Sequence, residues 1–134
     1  MNIKQRIGGV RSQLAGLDKQ AATYLAFLQR LIANGGKTVG VSEEPPPISN
    51  KAMAAIEEEI SQLGELAFGP PGPPAHLYQA YSAFGPKYAE SNPRPSLMGE
   101  RTGQSLSRDY TGIRIWVDHA QTYLNYVEGA ADEI

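Results

Sequence analysis

Apolar and small side chains open this chain at Ile3, Ile7, Val10, Leu14, Leu17, Ala21, Tyr24, Leu28 and Leu31, in alternating steps of four and three without a break. A strand cannot produce that spacing, because its side chains alternate with period two. A helix lines up residues three, four and seven apart on one side. The spacing therefore predicts a helix over 1–34 with a seam of about four heptads. After Tyr24 the stripe widens to include Leu25, Phe27 and Ile32, so the second half of this helix is expected to be buried on more than one side. Gly8, Gly9 and Gly16 oppose the helix, each costing roughly 1 kcal/mol relative to Ala in a helix interior. Either the first turns fray or these glycines admit close approach of another helix. Asn34-Gly35-Gly36 supplies the stop.

Two further stretches carry the same period. Met53, Ile56, Ile60, Leu63 and Ala67 predict a helix over 50–68, with Ser49 or Asn50 as its N-cap and Ile48 as a hydrophobic staple. Glu57-Glu58-Glu59 falls mostly on its wet face. Tyr110, Ile113, Val117, Ala120, Leu124, Val127, Ala131 and Ile134 predict a C-terminal helix over 108–134, and Trp116, Tyr123 and Tyr126 flank that seam as an aromatic band wider than one partner helix covers.

Between these helices the chain is punctuated by proline and glycine. Residues 37–50, with Pro45-Pro46-Pro47, lack a period and read as an extended connector. Gly69-Pro70-Pro71-Gly72-Pro73-Pro74 resembles collagen triplets, but two triplets cannot nucleate a triple helix; the prolines forbid helix continuation and form a stiff corner whose last members suit a helix start. A short helix over 74–84 follows, with Leu77, Tyr81, Phe84 and Tyr88 on one face and Gly85-Pro86 ending it. Residues 85–107, including Pro93-Arg94-Pro95, read as an extended arm. The fold class is all-α: three longer amphipathic helices plus one short helix, an elongated or loose bundle with long Pro/Gly-rich arms. At 134 residues the chain has material for a single domain with one modest core.

Charge is unevenly distributed. Residues 1–40 carry six basic side chains against Asp18, a net +5, and residues 41–66 carry six glutamates against Lys51, a net −5. The basic first helix and the acidic second one either face each other, or copies of each other, so that their charges largely cancel, or form two solvated faces that never meet.

Chemistry is sparse. Without cysteine there is no disulfide framework, thiolate metal site or sulfur nucleophile. The two histidines, His76 and His119, lack companions at metal-ligand spacing. His119 adjoins Asp118, but neighbours on a helix point in different directions, which places that carboxylate poorly for orienting the imidazole. Neither a nucleophile elbow nor a phosphate-cradling loop occurs. No catalytic residue, cofactor or metal is expected. The apolar run from Tyr24 to Ala33 is interrupted by Gln29 and Arg30 and is too short for a bilayer, so the expectation is a soluble chain, intracellular or virion-associated, without signal peptide or membrane span.

Helix seams, arms and tyrosines without chemical apparatus suggest a structural subunit of a multi-protein assembly, such as a minor virion protein, that binds copies of itself or a larger partner. Leu14, Tyr24, Leu28, Trp116, Tyr123 and Tyr126 are the expected interface anchors, the alternative being that most of them fill the chain's own core, which is the favoured reading for Leu14 and Leu28. The alternatives are a nucleic-acid-associated or regulatory adaptor using Lys4, Arg6, Arg11 and Lys19, and a non-catalytic accessory subunit of an enzyme.

Overall fold

The computed structural model describes residues 2–33, 45–46, 48–70, 72–83 and 100–132. These residues form four helices: α1 (Ile3–Ala33), α2 (Asn50–Phe68), α3 (Ala75–Ser82) and α4 (Glu100–Asp132). The chain is all-α among the described residues, and no helix there is long and apolar enough to cross a membrane.

α1 starts sharply. Asn2 and Gln5 exchange hydrogen bonds, the Gln5 amide donating to Asn2 Oδ1 at 2.8 Å and the Asn2 amide donating to Gln5 Oε1 at 3.1 Å. This reciprocal cap satisfies two amides that have no partner inside the helix. Gly8, Gly9 and Gly16 do not interrupt α1, and a β-carbon on any of them would meet nothing within 4 Å. They lie on the exposed face, so neither fraying nor close helix approach explains them.

The other ends follow from local chemistry. Ser49 caps α2, its hydroxyl accepting from the amides of Lys51 and Ala52 at 3.1 and 3.4 Å, and Ile48 beside it is buried. Gly69 closes α2 at φ 66°, a left-handed conformation that costs glycine nothing, and its amide donates to the Glu65 carbonyl at 3.0 Å. Gly72 repeats the device at φ 105°. Pro74 then caps α3, its carbonyl accepting from the amides of Leu77 and Tyr78. The proline-rich stretch is a corner between α2 and α3.

α4 begins at Glu100, earlier than the expected start near 108, so 100–107 is helix and not extended arm. Leu106 is buried and continues the seam backwards from Tyr110 at a step of four. Once a helix is nucleated, each added residue gains a hydrogen bond, which favours extension back from the seam. The remainder of the expected arm, and of the connector after Ala33, lies outside the described residues, as do Phe84, Tyr88 and Ile134.

α1 and α4 run antiparallel: Lys4 pairs with Asp132, Arg11 with Glu128 at 3.1 Å, Asp18 with Arg114 at 2.9 Å, and Tyr24 stacks on Tyr110 with ring centroids 4.4 Å apart. At about 1.5 Å per residue these two helices are roughly 50 Å long, so the bundle is elongated. α2 lies parallel to α4, with Ile48 near Tyr110 and Gly64 near Tyr123. α3 turns back along α4, antiparallel to it, through Tyr81 and Trp116. The seams of α1, α2 and α4 close into one continuous core that reaches from Ile7 to Val127 and from Ile48 to Tyr81. Leu14, Leu28, Leu31, Met53, Ile60, Leu63, Ile113 and Trp116 are all fully enclosed in this core.

Charges pair across the bundle in a different pattern from the one expected. Arg6 of α1 does reach acidic α2, donating to Glu59 Oε1 at 2.8 Å and to Gln62 Oε1 at 3.2 Å. Lys4 and Arg11, however, pair with α4. Arg11 spans a whole stripe of that helix, donating to Gln121 Oε1 at 2.9 Å, Asn125 Oδ1 at 2.7 Å and Glu128 Oε2 at 3.1 Å.

Candidate functional site

Burial decides the role of each expected anchor. Leu14, Leu28 and Trp116 have no exposed surface, and Tyr24 and Tyr123 are buried almost as completely. These five are core residues of the chain's own bundle, which corrects their expected role as interface anchors. The physical reason is that α1 and α4 offer their seams to each other while α2 and α3 cover the flank, so the wide stripes meet inside the molecule. Tyr126 alone among the six is exposed, at 51%.

The aromatic band beside the α4 seam holds the smaller elements in place. Trp116 donates its indole N–H to the Tyr81 hydroxyl at 3.4 Å, tying α3 to α4. The buried backbone amide of Ile48 donates to the Tyr110 hydroxyl at 3.1 Å, tying the entry of α2 to α4. Tyr81 and Tyr123 stack with centroids 5.0 Å apart, and Tyr123 reaches past them to Gly64, where an added β-carbon would lie 2.6 Å from its hydroxyl. Burial is the leading cause that pushes the Tyr123 phenol up to about 12, and it pushes Tyr81 up as well, the Trp116 hydrogen bond opposing it. Both rings are neutral packing elements across the physiological range.

Among the described residues the large exposed apolar side chains are Leu66, Tyr78, Ile115 and Tyr126. Tyr78 was not among the sequence-derived anchors, although its spacing of three from Tyr81 puts both on adjoining faces of α3. It sits edge-on to Tyr81 and Tyr123, with centroids 6.3 and 6.4 Å away, and borders two depressions between α2 and α3. Ile115 lies in a separate open groove of about 890 Å³ between α1 and α4, together with His119, Asp118 and the Asp18–Arg114 pair.

That groove holds His119 and Asp118, the acid–base pair that the sequence offers. Asp118 is exposed and His119 half-buried; Arg114, a permanent cation whose hydrogen bond to Asp18 shifts its pKa further up, is committed to an ion pair. His76 is exposed on α3 and lines no cavity with His119. Among the described residues no group of three His, Cys, Asp or Glu side chains could hold a metal ion. Compared with protein-family models, curated proteins and solved structures, the chain matches none.

Proposed function

We propose that this chain is a structural subunit that works by contact with other proteins in a larger assembly, a minor virion component being one setting that suits an elongated bundle with proline-rich connections. The observation that supports the reading is the pairing of a closed core with large apolar side chains left outside it, above all Tyr126 at 51% exposure. The contact surface in this reading is the outer face of the bundle, since the seams are occupied. Tyrosine suits such a role because it contributes a large rigid apolar area together with a hydroxyl. The nucleic-acid alternative draws less support, because three of the four cations it relies on, Lys4, Arg6 and Arg11, are engaged by Asp132, Glu59 and Glu128.

Native mass measurement tests the proposal, on the purified chain over a concentration series and on its source extract. The expected result is a species heavier than the 14.5 kDa monomer that is lost or lightened in Tyr126→Asp. A monomer under every condition would overturn it.

A further inference from the structure

α3 (Ala75–Ser82) is eight residues long, has no side-chain cap at its start and carries no Asp, Glu, Lys or Arg. Isolated helices shorter than about 12–15 residues are marginal in water, so α3 owes its helical state to what it docks on. Of its side chains Tyr81 is buried and Leu77 half-buried, and the rest face out. The docking runs along α4. Tyr81 stacks on Tyr123 with ring centroids 5.0 Å apart, and its hydroxyl accepts the Trp116 indole N–H at 3.4 Å. Towards α2, by contrast, depressions of about 300 and 340 Å³ border α3.

The chain entering α3 is arranged to pivot. Between Gly69 and Pro74 each proline fixes its own φ, whereas Gly69 and Gly72 stand at φ 66° and 105°, where glycine alone moves at no steric cost. A change of direction is thereby concentrated at two residues. The body that α3 covers is held far more firmly. α1 buries nine residues and α2 six, against one for α3, and local stability follows the apolar surface that an element buries. Beneath α3, Trp116 has no exposed surface and Tyr123 almost none.

We propose that α3 is a strap over Trp116, which opens as a unit on the Gly69 and Gly72 pivots while α1, α2 and α4 stay folded, and so bares an aromatic face of α4 that the closed molecule seals. The bared face holds the Trp116 indole with its N–H donor and the Tyr123 ring with its hydroxyl. Both residue types combine a large apolar body with a polar handle, which suits them to contact at a wet surface. The strap is therefore a switch between a sealed bundle and one with an additional contact face. It goes beyond the assembly reading and does not depend on it, because opening is a property of the single chain.

Trp116 is the chain's one tryptophan, so its indole reports on the strap alone. The experiment is native-state hydrogen exchange of the full chain by NMR, at urea concentrations below the unfolding transition. The Trp116 indole N–H and the α3 amides of Tyr78 and Ala83 are expected to exchange together, roughly tenfold or more faster than the amides of Leu28 and Ile113. Their dependence on urea should be shallower, since a local opening exposes less surface than unfolding does. Indole exchange at the rate and urea slope of Leu28 and Ile113 would overturn the proposal, by making α3 part of one cooperative unit. A second measurement uses Tyr81→Ala, which removes the one buried side chain of the strap. Tryptophan emission should move to the red and acrylamide quenching should rise, with a cooperative urea transition and most of the helical circular dichroism retained. Unshifted emission, or loss of the cooperative transition, would also overturn it. Native mass does not depend on the strap. A monomer whose indole exchanges with α3 would sink only the assembly reading, and a heavy complex whose indole exchanges with the core only this one.

Discussion

At the scale of single residues, the glycines separate by what stands in front of them. Gly64 is buried on α2 facing the Tyr123 hydroxyl, and a β-carbon there would approach that oxygen to 2.6 Å while the ring carbons stay at 3.6 Å and beyond. Tyr123 cannot easily move away because its ring is stacked on Tyr81. Gly64→Ala is therefore expected to cost about 1–3 kcal/mol by overpacking. Most of that cost should vanish in a Tyr123→Phe background, which lacks the crowding oxygen; urea unfolding of the four members of the cycle measures it. Gly8, Gly9 and Gly16 face open space at helical φ, so changing each to Ala should stabilise the fold by roughly 0.5–1 kcal/mol, read as a higher urea midpoint at unchanged slope. The seam shows that these glycines lie within a helix, but their orientation away from every neighbour depends on where α2 and α4 pack.

At the scale of elements, two hydroxyls position α2 by different means. Ser49 caps the helix locally, and Ser49→Ala should cost about 1 kcal/mol, because the amides it satisfies are exposed and water can replace it. Tyr110 acts from another helix on the buried Ile48 amide, and Tyr110→Phe would leave that amide without a partner away from water, at a cost of about 1–3 kcal/mol. The expected order, with the distant tyrosine outweighing the adjacent serine, is checked by comparing thermal midpoints of the two variants. Ser49 was legible as a cap because capping is a short-range pattern. The Tyr110 bond joins positions 62 apart in sequence and leaves no local trace.

At the scale of the whole molecule, the buried tyrosines couple stability to alkaline pH. Tyr123 titrates near 10 when unfolded and about 12 when folded, and Tyr81 is shifted in the same direction. Above pH 10 the folded state keeps protons that the unfolded state loses. The stabilisation is therefore fully present below about pH 10 and declines as pH rises towards 12. Helical circular dichroism should fall in that window together with a late rise in tyrosinate absorbance, and Tyr123→Phe should soften the fall. If every tyrosine ionised near 10 with the helices intact, the burial of these rings would be refuted. The stripes of α1 and α4 that look too wide for one partner are shared among three helices.

What the sequence determined by itself is the set of helices and their inward faces, because the three-and-four spacing of apolar residues and the Ser, Gly and Pro signals at the ends act over a few residues. The early start of α4 was the exception; the buried Leu106 lies within it, outside the expected seam. Only the tertiary structure decided which tyrosines are core and which are surface, that Arg11 serves α4 in place of α2, and that Tyr78 borders two depressions between α2 and α3. These outcomes depend on distances between residues far apart in the chain, and such distances exist only once the helices have packed.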